Sequence, residues 1–255
     1  MISQEIELIH NCQHGSEIAV YSIIEGSRKL IRKSATTANG TADLAREAAG
    51  WAWYQARRYP DRTSPICTEF VRGAYRRIDV EWIEGKKGDF RKGLLPNSKI
   101  IQLALEQYCS IWPEAQEGNV PLHGDFSIDN LILNEEGIHI IDWEHFHERG
   151  APWGFDPLYL LYESLWFGTE PRKHPDKGDI QAIATYLKQL HATGRLHESF
   201  VFRPLHTLRT FINDHREVWG EQLRRFPEKL LVVKFSEEQV AEIDRLVHHA
   251  FRSSP

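Results

Sequence analysis

The stretch LHGDFSIDNLILNEEGIHIIDWE, residues 122–144, carries the most information about this chain. Two short apolar runs, LIL and IHII, flank the turn formers Asn134 to Gly137, a pattern that predicts a β-hairpin. Asn130 then stands at the entry of the first strand and Asp142 at the exit of the second. The two ends of an antiparallel hairpin are neighbours. A carboxylate and a carboxamide oxygen placed together are hard ligands that suit Mg²⁺, which takes few protein groups and keeps positions for water and phosphate. Asp125 lies just upstream, where a carboxylate can reach a substrate hydroxyl and act as general base. Asp129 reads as a turn former, and His123 as a hydrogen-bonded loop or core residue.

A chain of 255 residues suits one large domain or two coupled lobes. The net charge of −5 is mild and shows no nucleic-acid footprint. Residues 151–255 carry equal numbers of acidic and basic side chains, so the acidic excess falls on residues 1–150. The three cysteines, Cys12, Cys67 and Cys109, fit neither a disulfide framework nor a zinc site. They point to a reducing, cytoplasmic setting. The N-terminal MISQEIELIH lacks the features of a signal peptide. The apolar window GFDPLYLLYESLWFG, 154–168, includes Asp156 and Glu163 and is too short to span a bilayer. The expectation is therefore no membrane span. The pattern says nothing about oligomeric state.

Strands are expected at 6–10, 18–24 and 29–35 as a meander, then at 67–73 and 77–83. Thr41 is the expected N-cap of a helix over 42–57. Further helices are expected at 98–112, stopped by Pro113, and at 155–168, 178–193, 203–225 and 236–251. The fold class is α+β. A small β-rich N-lobe, residues 1–85, precedes a larger, mostly helical C-lobe, residues 86–255, and ligand clefts favour such junctions.

The set His123-Gly124-Asp125, Asn130 and Ile141-Asp142-Trp143-Glu144 resembles the aminoglycoside phosphotransferase and choline kinase family, which has the two-lobed protein-kinase-like fold. GAPWGFDPLYLL, 150–161, is similar to that family's continuation, with Asp156 at its acidic position as a structural helix cap. The resemblance runs through ordered motifs over about residues 5–165. It implies ATP as phosphoryl donor, Asp125 as catalytic base, and Asn130 and Asp142 as holders of Mg²⁺. It also implies a phosphate-binding cation on the third strand, aligned by a carboxylate on the next helix.

The helix offers its own test of that last point. Glu47 falls on the apolar stripe of Leu44, Ala48 and Trp51, where a carboxylate is costly unless a cation meets it. Lys33 and Arg32 compete for that role, because strand alternation alone does not say which face is inward. Family usage favours Lys33. The loop NCQHGSE, 11–17, has one glycine, and phosphate contacts by Gly15 and Ser16 rest on the resemblance. VEWIEG, 80–85, is similar to the family's hinge, where backbone groups of Glu81 and Ile83 would read adenine. Ser127 stands where protein kinases place a lysine, and there is no Ala-Pro-Glu segment. Both features resemble a small-molecule kinase.

The implied partner is a small-molecule hydroxyl acceptor. Charge neutrality after residue 150 favours a sugar or glycan intermediate over an aminoglycoside, choline or another amino alcohol. Trp153, Trp166, Phe167 and Trp219 are available to stack on sugar rings or to fill the core. A non-catalytic nucleotide-binding scaffold is the alternative of another class, but a scaffold has no need of a base.

Overall fold

In the computed structural model, which describes residues 4–11, 18–113, 119–169, 174–214 and 234–253, contacts divide the chain into two units. The first comprises Met1–Glu84 with Asp142–His147, and the second Gly85–Ile141 with Glu148–Pro255. The architecture is α+β, with the main sheet in the first unit and most helices in the second.

The first unit is built on a five-stranded antiparallel sheet in the order β1-β2-β3-β5-β4. Its strands are β1 Gln4–Asn11, β2 Ala19–Glu25, β3 Arg28–Ala35, β4 Cys67–Arg72 and β5 Tyr75–Glu81. Helix α1, Ala38–Arg58, crosses the face of β3, β5 and β4. It starts earlier than its periodicity indicates. Thr37, not Thr41, is the N-cap, with its hydroxyl accepting from the backbone N–H of Gly40 at 3.2 Å. Thr41 is already inside the helix, its N–H bonded to Thr37 O at 2.9 Å. Leu44, Trp51 and Tyr54 of α1 are buried, as are Ile78 and Val80 of β5. Register sets the faces: Lys33 pairs across with Ile78, and Arg32 with Asp79, so the two cations point to opposite sides of the sheet.

The segment Asp142–His147 packs within this unit through Trp143, which is fully buried. Its ring lies 5.7 Å from Trp53 and 5.2 Å from Tyr54, centroid to centroid.

In the second unit, α2, Ser98–Ile111, buries Ile101, Ala104 and Leu105 and ends ahead of Pro113. The hairpin of the opening stretch forms between β8, Leu131–Asn134, and β9, Gly137–Ile140. Leu131 faces Ile140, and Asn134 faces Gly137. β6, Lys86–Lys87, joins the edge of β8. Gly85, just before it, has φ +156°, and a Cβ there would stand 2.6 Å from the carbonyl oxygen of Leu133. Only glycine lets the chain pass so close. β7, Val120–Leu122, pairs with β10, His147–Ala151.

Among the described residues, the further helices are α3 Phe155–Thr169, α4 Lys177–Ala192, α5 Ser199–Phe202, α6 Pro204–Asp214 and α7 Glu237–Ser253. The helix expected over 203–225 is observed only as α6, and residues 215–225 lie outside the described residues. Pro204 begins α6 with no N–H to satisfy. The next two N–H groups, of Leu205 and His206, donate to Asp244 of α7 at 2.9 and 3.0 Å. Among the described residues, no helix is long and apolar enough to cross a membrane.

Candidate functional site

The residues singled out above form two groups, one in each unit. In the first unit, Lys33 Nζ lies 2.8 Å from both carboxylate oxygens of Glu47 and 2.6 Å from Asp142 Oδ1. β3 presents Lys33 on the α1 face, and the apolar stripe of α1 carries Glu47 inward to it. Burial disfavours the Lys33 ammonium, but Asp142 and Glu47 more than offset this, and its pKa is raised. Burial likewise pushes the Glu47 carboxyl up, against the pull of Lys33. The arrangement is one cation between two carboxylates, with Asp142 the more exposed partner.

Arg32, the competing cation, is committed on the other face. Its guanidinium makes a two-pronged pair with Asp79, at 2.7 and 2.8 Å.

In the second unit, Asn130 Nδ2 donates to the backbone oxygen of Asp125 at 2.9 Å and to its carboxylate at 3.0 Å. Asn130 sits in a 3₁₀ turn, Ile128–Asn130, that opens directly into β8, and Ile141 N–H closes on Asn130 O at 3.0 Å. His123 is fully buried. Its Nδ1 accepts from the N–H of Asp125 at 3.2 Å, which assigns the proton to Nε2, 3.0 Å from Ile141 O. The ring ties the Asp125 N–H to the Ile141 carbonyl. Asp129 is exposed and accepts from the Ser127 hydroxyl at 2.7 Å, a local turn contact.

Asp156 is structural, but not as a cap of its own helix. It lies inside the first turn of α3 and accepts the N–H groups of His123 and Gly124 at 2.8 and 3.2 Å. Burial pushes its carboxyl up to about 7, against those two hydrogen bonds. It anchors the start of the loop that carries Asp125.

Glu81 uses its backbone N–H on Ile66 O at 2.9 Å and its side chain on Arg62. Ile83 is half-buried on the segment that follows β5. Gly15 and Ser16 lie outside the described residues, as does Trp219. Of the other aromatics, Trp153 meets His197 edge-on, Trp166 meets Phe235, and Phe167 packs on Phe90.

Three participants were not found by sequence reasoning. Arg46 and Gly50 of α1 touch the segment after Asp142. Glu163 of α3 accepts from the Tyr159 hydroxyl at 3.1 Å. Burial, reinforced by Asp125 and Asp129, pushes the Glu163 carboxyl up to about 8. A carboxylate inside an apolar helix was the available signal for Glu163. For Arg46 and Gly50 the signal is non-local, and one sequence does not display it.

Mg²⁺ is held by oxygen donors. In one unit Asn130 commits its amide nitrogen to Asp125, which leaves its carbonyl oxygen Oδ1 as the atom it could offer a cation; in the other, Asp142 gives Oδ1 to Lys33 and retains Oδ2. Among the described residues, no group of three or more His, Cys, Asp or Glu forms a metal cage. Mg²⁺ commonly takes one or two protein oxygens and completes its shell with water and phosphate.

No protein-family model matches the chain, and no curated protein matches it. Among solved structures it is similar to a thermostable mutant of aminoglycoside phosphotransferase APH(4)-Ia in ternary complex with AMP-PNP and hygromycin B. That match has a TM-score of 0.48 at 12% identity and covers 99% of this chain and 95% of that one. It is also similar to a microcompartment-associated aminopropanol kinase, with a TM-score of 0.44 at 12% identity, covering 98% and 90%. Values this low carry no weight for activity, so the chemistry rests on the residues themselves.

Proposed function

We propose that the protein is an ATP-dependent kinase that moves the γ-phosphoryl group to a hydroxyl of a small molecule. The observation that carries this reading is the buried Lys33–Glu47 pair with Asp142 on its exposed side. A purely structural ion pair needs only one carboxylate. A lysine shared with a second, accessible carboxylate is arranged for polyanionic phosphates and their counter-cation.

In this reading residues 1–85 are the nucleotide-binding lobe and residues 86–255 carry the catalytic loop and the acceptor. Lys33, held straight by Glu47, binds donor phosphate oxygens. Asp142 Oδ2 and Asn130 Oδ1 would hold Mg²⁺, which would supply positive charge to offset that of the donor phosphates. Asp125, oriented by Asn130 and by the His123 ring, accepts the proton of the acceptor hydroxyl. Adenine contacts fall to backbone groups of Glu81 and Ile83, and loop contacts to Gly15 and Ser16.

A sugar or glycan intermediate is the acceptor favoured by the neutral charge of residues 151–255. The second reading is an amine-bearing acceptor such as an amino alcohol or aminoglycoside. The test is ADP release from Mg·ATP across panels of sugars, amino alcohols and aminoglycosides. Turnover with one panel selects the acceptor class. Tight ATP binding with no turnover on any panel would instead mark a nucleotide-binding scaffold.

A further inference from the structure

Gly50 lies one turn beyond Glu47 on α1. A Cβ at this position would stand 2.5 Å from Trp143 Cβ and 2.9 Å from Phe146 Cβ. Those atoms are attached directly to the backbone, so no side-chain rotation relieves the contact. Helix interiors favour alanine over glycine by about 1 kcal/mol, so a buried mid-helix glycine calls for another cause. The cause here is the close approach of Trp143, which is fully buried against Trp53 and Tyr54.

Arg46 makes a second tie, its Nε donating to Glu144 O at 3.1 Å. The neighbours of Glu47 along α1 therefore grip the residues that follow Asp142. Asp142 itself has φ +64°, a left-handed conformation that few non-glycine residues adopt and that the surroundings must hold. With that backbone, Trp143 packs on the helix while the Asp142 carboxylate reaches Lys33 at 2.6 Å.

We infer that Gly50 is a positioning residue: it admits Trp143 against α1 and so sets the Asp142 carboxylate beside Lys33, ready for the cation. This role in metal binding rests on the phosphotransfer reading above. The packing role does not. Glu47 and Asp142 are then carried by one packed body, and both partners of Lys33 arrive together.

The experiment compares full-length wild type with Gly50→Ala. Amide hydrogen exchange over 142–147 is read without nucleotide, and ATP affinity is read by calorimetry with and without Mg²⁺. Exchange at 142–147 is expected to quicken about tenfold, and the Mg²⁺ enhancement of ATP affinity to fall about tenfold, given the sensitivity of such sites to misplacement near 1 Å. A folded Gly50→Ala with wild-type exchange overturns the inference. So does faster exchange with an unchanged Mg²⁺ enhancement, because general loosening alone would produce it. If Gly50→Ala does not fold, Trp143→Phe withdraws the indole but keeps the Cβ, and the same two changes are expected, with their absence equally decisive. A wild type with no Mg²⁺-dependent ATP binding defeats the phosphotransfer reading instead, and the exchange data alone then decide the packing role.

Discussion

Lys33 and Glu47 meet at 2.8 Å where a strand and a helix cross, and Glu47 is 1% exposed. Removing the cation strands a buried carboxylate beside a second one, Asp142. Lys33→Met is expected to cost about 3–5 kcal/mol of stability, as uncompensated buried charges do. Turnover should fall by about 10²–10³, the scale of a lost charge-stabilising group. Urea unfolding and ADP release measure the two effects separately.

Arg32 provides the contrast. Its pair with Asp79 lies on the other face of β3. Arg32→Met should cost about 1.5–3 kcal/mol, the range for hydrogen bonds to charged groups, while kcat changes little. If Arg32→Met abolished turnover and Lys33→Met spared it, the assignment of the phosphate-binding cation would be reversed.

Asp125→Ala should abolish phosphoryl transfer and leave ATP binding intact, because the proposed base acts on the acceptor. Turnover at the wild-type rate in that variant would defeat the assignment. Asp142→Ala should behave differently and lose the Mg²⁺-dependent part of nucleotide binding.

Asp156→Ala would orphan the buried N–H groups of His123 and Gly124. At roughly 1–3 kcal/mol for each unsatisfied donor, a loss on the order of 2–6 kcal/mol is expected. Solvation of those groups by water after local opening would show as a much smaller loss in denaturant midpoint.

Glu163 sets a pH dependence. Its carboxyl is raised to about 8 in the folded protein, chiefly by burial and then by Asp125 and Asp129. Its unfolded value is about 4.3. A raised carboxyl favours the fold while protonated, so its contribution is complete below the unfolded pKa and lost as pH rises through the folded one. The Tm difference, wild type minus Glu163→Gln, should therefore fall as pH rises from about 4 to 8. A flat difference across that window would show that Glu163 titrates normally.

Much of the fold was legible because it is local. The turn formers Asn134 to Gly137 between two apolar runs produced the hairpin of β8 and β9, and the periodicity of residues 42–57 marked α1. The error at its start has a local cause too. Thr37 and Thr41 are both acceptable caps by composition, and the choice depends on where β3 releases the chain. α6 starts afresh at Pro204 because Asp244, far along the sequence, takes the first N–H groups.

What the sequence determined by itself was which chemical groups lie at the ends of which elements. Asp125 precedes the hairpin, Asn130 enters it and Asp142 follows it, since spacing and turn chemistry act over a few residues. Tertiary structure alone decided which of two adjacent cations meets Glu47, why α1 carries glycine at position 50, and that Asp156 serves the loop of His123 rather than its own helix. The physical reason is that a strand's alternation defines two faces without naming either. Only packing against α1 makes one of them the side where burying a charge requires a partner.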